Sequence, residues 1–208
     1  MPQLEQCDNL NAEKLRTALL GFYIGNQIIV LQEAPSTNDL AWKMAQDEVA
    51  DGLVVFAERQ TAGRGQRGNR WESAPYQGLW FSILLRPKIA PSESGRLTEW
   101  AAQAVAQTIG EELRIGASIK SPNDVYVSGR KVAGVLVEMR VEKDGGYASI
   151  AGIGINVNQT AQDFPEELRG RAGSLASALG KPINRQQFAI ELLRNLDRTY
   201  RALFLAKS

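Results

Sequence analysis

The chain has 208 residues, 44% of them hydrophobic and 23% charged, which sets it as one domain with a substantial core and excludes disorder as its main state. Its 24 basic and 23 acidic residues leave a net charge of +1, so the molecule as a whole is not drawn to nucleic acid or to an anionic membrane. With no histidine there is no Ser-His-Asp or Cys-His catalysis and no imidazole metal site, and a single cysteine, Cys7, excludes an intrachain disulfide.

No apolar run approaches the length of a membrane span, and the polar start from Met1 to Arg16 lacks the apolar core of a secretory signal. The expectation is a soluble, cytoplasmic protein. Leu10, Leu15, Ala18 and Leu19 place a short helix between Leu10 and Leu20. A short strand follows at Ile28 to Leu31. Ser36-Thr37-Asn38-Asp39 then opens a helix carrying Leu40, Ala41, Met44 and Ala45, with Ser36 as cap and Asp39 as its capping-box partner. Asp51-Gly52 stops it.

Leu53 to Ala57 and Leu79 to Leu85 read as buried strands. The long stripe Leu97, Trp100, Ala101, Ala104, Val105, Thr108, Ile109 and Leu113 reads as a helix lying on a sheet. Three strands follow, Val125 to Val127, Val132 to Val141 and Tyr147 to Val157, joined by turns at Ser128-Gly129 and Asp144-Gly145-Gly146 as an antiparallel meander. Helical segments at Ser174 to Leu179 and Gln186 to Phe204 close the chain. Strands and helices are segregated, so the fold class is α+β, with a mixed, largely antiparallel sheet flanked by helices.

Two segments carry chemistry. Gly63-Arg64-Gly65-Gln66-Arg67-Gly68-Asn69-Arg70-Trp71 holds a G-x-G-x-x-G pattern, but no helix follows it and no acidic residue sits at the ribose distance, so it is not a dinucleotide loop. Its glycines bring backbone N–H groups close to a ligand, and its three arginines repel one another unless an anion sits among them. On its own it is equally a solvated surface loop. The second segment is Lys120-Ser121-Pro122-Asn123-Asp124 with Lys131 just past a tight turn, which brings Asp124 and Lys131 to one region; a plain surface ion pair reads the same way. Glycines inside the strand Gly152-Ile153-Gly154-Ile155-Asn156 mark either a close approach or a bulge.

Taken in order, Ser36-Thr37-Asn38, Gln60 with the Gly63–Trp71 loop, Lys120 to Asp124, Lys131 to Glu138 and Gly152 to Asn156 resemble the biotin protein ligases over roughly residues 28–206. The resemblance implies the catalytic fold of biotin and lipoate ligases. It implies ATP, Mg²⁺ and biotin as substrates and ion, and a biotin carboxyl carrier protein or domain as acceptor. It implies a biotin site of Ser36, Thr37, Asn38, Gln60, Arg64, Gly65, Gln66 and Lys131, with the hydroxyls and amide meeting the ureido ring. Arg67, Trp71, Lys120, Asn123, Lys131 and Asn156 would meet the adenylate. Lys131, Asp124 and Arg64 would carry the chemistry, Asp124 orienting or deprotonating the acceptor amine.

No metal ligand is identified in the sequence. The expected organisation is a single catalytic domain, without the N-terminal winged helix that makes some relatives DNA-binding and without the small C-terminal β-barrel of many others. A homodimer through sheet edges is compatible with the resemblance. Two positions depart from the family pattern: Ser121 where a tryptophan is usual, and Gln66 where an arginine is common. The competing readings are a lipoate or octanoate ligase or transferase of related fold, a non-catalytic biotin sensor, and, remotely, a nucleic-acid-binding module.

Overall fold

A computed structural model of the chain describes residues 9–46, 50–142 and 145–205. Cys7, and Asp144 of the second meander turn, lie outside the described residues. The strands are β1 (Ile28–Ala34), β2 (Val54–Gln60), β3 (Gly78–Leu85), β4 (Ala117–Lys120), β5 (Asp124–Val127), β6 (Arg130–Val141) and β7 (Tyr147–Asn156). The helices are α1 (Ala12–Ala18), α2 (Thr37–Ala45), α3 (Ser94–Leu113), α4 (Leu175–Leu179) and α5 (Arg185–Tyr200), the last continued by one π-turn, Arg201–Leu205.

The seven strands form one sheet in the order β1-β2-β3-β7-β6-β5-β4. β1 and β2 run parallel, joined by α2, and every other pair is antiparallel. The fold is α+β, and the meander of β5, β6 and β7 follows the sequence pattern. Several bounds differ from the sequence reading, beginning with β1 and β2, which run on to Ala34 and Gln60. α1 is only 7 residues long, α5 gives way to the π-turn after Tyr200, and β4 is an additional strand. Ala117-Ser118-Ile119-Lys120 is short and mostly exposed, so it carries no buried alternation to betray it.

Period-two alternation sends each strand's residues to two faces. Val54, Phe56, Leu79, Phe81, Ile83, Ala151, Ile153 and Ile155 meet α3 and α5 in the main core, where Trp100 packs against Tyr200 and Phe204. Burying each such large side chain stabilises the fold by about 1.5–3 kcal/mol. Val55 and Leu84 face the other way, onto Ala41 and Trp42 of α2. On that face α2 packs on β2, β3 and the first half of β7, where Ala148 and Ile150 join the same cluster. The remainder, above β7 and β6, is the floor of a cavity.

Beneath this frame lies a buried ion pair. Arg185 Nη1 at the start of α5 stands 2.7 Å from Glu58 Oε2 of β2, with both side chains fully buried. Glu58 Oε1 accepts the Leu10 N–H at 2.7 Å, and Arg185 donates to the Gly78 carbonyl at 2.8 Å. One cluster thus ties the start of the described chain to β2, β3 and α5.

Candidate active site

The cavity is a small cleft, partly open to solvent. Ser36, Thr37, Asn38, Gln60, Arg64, Gly65, Gln66, Trp71, Asn123 and Lys131 all line it, together with Gly134, Gly152 and Gly154 of its floor. Residues dispersed over nearly a hundred positions converge here. Lys120 and Arg67 are exposed and do not line it. Asn156 is buried behind it, donating to the Gly173 carbonyl at 3.0 Å and accepting from Gln159 at 3.1 Å. Those three therefore stand apart from the other expected residues, and Asp124, which does not line the cavity either, reaches it only through Lys131.

The floor explains the glycines. β3, β7 and β6 are in register so that Trp80, Gly154 and Gly134 form one row and Ser82, Gly152 and Leu136 the next. A Cβ on Gly154 would lie 2.5 Å from Trp71 Cε2, and one on Gly134 2.8 Å from Trp71 Cζ3. The Trp71 indole is therefore laid directly on bare backbone, edge-on to Trp80 with ring centres 6.1 Å apart. A Cβ on Gly152 would lie 2.2 Å from Asn38 Oδ1. The close approach read from these glycines is made, on this floor, by the protein's own side chains.

A bulge positions the cation. β5 and β6 meet at the two-residue turn Ser128-Gly129, both at positive φ as such hairpins require. Tyr126 pairs with Lys131, but Asp124 pairs with Gly134, because the register slips by one between Val125 and Tyr126. The extra residue reverses the alternation, so Lys131 shares a face with Asp124 and Gly134 instead of opposing them. Lys131 Nζ lies 2.7 Å from Asp124 Oδ1, as an ion pair, and 5.3 Å from the Trp71 ring centre. Both side chains keep a quarter or so of their surface open, Lys131 30% and Asp124 22%. Asn123 lies against β6, exchanging backbone and side-chain bonds with Val135.

The α2 end of the cavity is polar and buried. Ser36 stands at the N-cap position, but its hydroxyl does not cap the helix, and the capping box with Asp39 does not form. The cap is supplied from β2 instead. Gln60 Oε1 accepts the Thr37 N–H at 2.9 Å and lies 3.2 Å from Thr37 Oγ1, while Gln60 Nε2 donates to Ser73 at 3.2 Å. Ser82, which the sequence reading missed, is fully buried within 2.7 Å of Thr37 Oγ1 and 2.6 Å of Asn38 Oδ1. Asn38 Nδ2 in turn donates to Glu138 Oε2 at 2.8 Å.

The glycine-arginine loop folds back over the mouth. Trp71 N–H donates to the Gly63 carbonyl and Gly65 N–H to the Asn69 carbonyl, with Arg67 and Gly68 both at positive φ at the tip. Two of the three arginines are answered within the protein. Arg64 pairs with Asp39 at 2.6 Å and Glu138 at 3.3 Å, and Arg70 pairs with Glu72 at 2.9 Å. The Asp39 carboxylate beside it, with help from Glu138, holds the Arg64 guanidinium above its already high ordinary pKa against the opposing effect of burial.

No group of three or more Cys, Asp or Glu side chains able to hold a metal occurs among the described residues. Among them, too, no helix is long and apolar enough to cross a membrane.

A family model described as the biotin/lipoate A/B protein ligase family matches residues 30–158. The bifunctional ligase/repressor BirA of Bacillus subtilis is 38% identical over 192 residues, which are 92% of this chain but 59% of that protein. The chain thus spans little more than half of that relative. The biotin–[acetyl-CoA-carboxylase] ligase of Mycobacterium tuberculosis is 32% identical over 194 residues, 90% of this chain and 70% of that one. The solved biotin protein ligase of Aquifex aeolicus in complex with biotin and ATP superimposes with a TM-score of 0.74 at 34% identity, covering 87% of this chain and 73% of that chain.

Proposed function

Because the chain belongs to the biotin/lipoate A/B protein ligase family, we propose that its cavity activates biotin with ATP and passes the biotinyl group to one lysine of a biotin carboxyl carrier domain. The single observation that carries this reading is Lys131, paired with Asp124 across a bulge and set beside Trp71 at one end of a cavity whose other end is lined by the buried, neutral Ser36 and Thr37. A neutral ureido ring suits the second end, and a carboxylate beside a phosphate suits the first.

In the first step a biotin carboxylate oxygen attacks the α-phosphorus of ATP, and pyrophosphate leaves. Two anions must meet, and the Lys131 ammonium, half-sheltered from water, offsets their charge as the new bond forms. Asn123 and the Trp71 indole lie on the same side of the cavity for the nucleotide. Mg²⁺ would enter with the triphosphate, as this ion commonly does, since no protein cage for it occurs among the described residues.

In the second step the carrier amine attacks the acyl carbon and AMP leaves. An ordinary lysine amine has a pKa of about 10.4, so only a small fraction is neutral near pH 7. Asp124 is the carboxylate at hand to orient that amine and take its proton, Lys131 having shifted to the phosphate. No covalent enzyme intermediate is required, in keeping with a chain that has no histidine.

The test is ATP–pyrophosphate exchange with biotin, with lipoate, and with neither. Exchange that requires biotin supports the reading. Exchange supported by lipoate alone reassigns the substrate within the family, and no exchange with either refutes the activation step.

A further inference from the structure

Arg64 is surrounded by more negative charge than it carries. Both oxygens of Asp39 accept from its Nη1, at 2.6 and 2.7 Å, and both oxygens of Glu138 lie 3.3 Å from its Nη2. One guanidinium between two carboxylates leaves an excess of one negative charge, so Arg64 has little attraction left for a ligand anion. The carboxylates come from separate elements, Asp39 from the first turn of α2 and Glu138 from β6. Glu138 is itself fixed, because Asn38 donates to it and Asn38 is held by buried Ser82. Asn38 thereby spends both ends of its amide on the protein.

We propose that Asp39 and Glu138 are positioning residues that fasten Arg64, and with it the loop from Gly63 to Trp71, across the cavity mouth. On this account Arg64 retains the ligand mechanically and does not donate to its carboxylate or phosphate, and Asn38 belongs to the fastening rather than to the ureido contacts. The backbone tie between Arg64 and Arg70 passes the restraint to the loop tip, where Gln66 carries no charge of its own. The pairs are partly exposed, Arg64 39% and Asp39 48%, so each contributes modestly and the two together give the hold.

The inference takes its ligand from the proposed function, so the test has one arm that needs biotin and one that does not. Asp39→Asn and Glu138→Gln remove charge at nearly constant shape, and Gln at 138 can still accept from Asn38. In the first arm, biotin dissociation is followed by stopped-flow tryptophan fluorescence. Each variant is expected to release biotin about three- to tenfold faster with little change in association, and Asp39→Glu to restore the slow rate.

In the second arm, trypsin cleavage after Arg64, Arg67 and Arg70 is timed without ligand by fragment mass. Both variants are expected to be cut faster there while their thermal unfolding stays at the wild-type value. Unchanged dissociation together with unchanged loop cleavage overturns the inference. Wild-type protein that binds no biotin, but is cut faster when either carboxylate is neutralised, overturns the biotin reading and leaves the fastening supported.

Discussion

Gly152→Ala tests the geometry of the cavity floor. The new Cβ would stand 2.2 Å from Asn38 Oδ1, 2.9 Å from its Cγ and 3.1 Å from its Nδ2, so the amide must leave. Leaving breaks the 2.6 Å bond with Ser82 and the 2.8 Å bond with the Glu138 carboxylate. A neutral buried bond contributes about 1 kcal/mol and one to a charged group about 1.5–3, so the variant is expected to lose about 2–4 kcal/mol. For a domain of this length that lowers Tm by about 4–16 °C.

The double variant Gly152→Ala, Asn38→Ala separates the clash from any other effect. Asn38→Ala alone forfeits the same bonds and leaves space for the methyl group. The double variant should therefore be no less stable than Asn38→Ala, with a coupling energy of about 2 kcal/mol or more in urea unfolding. Costs that simply add would refute the reasoning, because the methyl group would then be meeting something other than Asn38.

Lys131→Ala leaves the converging carboxylate and phosphate without their ammonium, and biotin-dependent exchange should fall by about 100-fold or more; a fall of less than threefold would remove Lys131 from the chemistry. Glu58→Ala strands a fully buried guanidinium and should cost about 3–5 kcal/mol in urea unfolding, a loss below 1 kcal/mol counting against the pair's structural role. Burial pushes the Asp51 carboxyl above its ordinary value of 3.8, although its bond from the Tyr23 hydroxyl and the nearby Arg86 pull it back. A raised acid gives its stability below the ordinary value and loses it as pH rises through the folded one. Asp51→Asn should therefore gain in Tm relative to wild type between about pH 3.8 and pH 7, and a difference that is flat or shrinks over that range would contradict the shift.

The helices and strands that bury a regular face were legible. Leu79 to Leu85 announces a strand because it is a short apolar run buried on both faces, and the stripe from Leu97 to Leu113 announces a helix because every third and fourth residue enters the core. The glycine pattern at 152 and 154 announced a close approach, though not that Asn38 and Trp71 make it. What stayed hidden depends on partners distant in sequence. Ser36 has the right neighbours for a capping box, yet Gln60, from the next strand, reaches the α2 N-terminus first. Three arginines in seven residues suggested an empty anion site, and only the fold shows that Asp39 and Glu138 already answer Arg64. Asn156 sits in a motif with its neighbouring glycines, but its side chain points to the Gly173 carbonyl and Gln159. The resemblance located the site; the bulge that turns Lys131 toward Asp124 has no local signature.

The most direct measurement is intact-mass analysis of an isolated biotin carboxyl carrier domain incubated with this protein, ATP, Mg²⁺ and biotin. The account predicts that one biotinyl group is added to one lysine, that the addition requires ATP, and that it disappears with Lys131→Ala. A carrier left unmodified by wild-type protein, but modified by an established ligase in the same mixture, would contradict it, as would full modification by the Lys131→Ala variant.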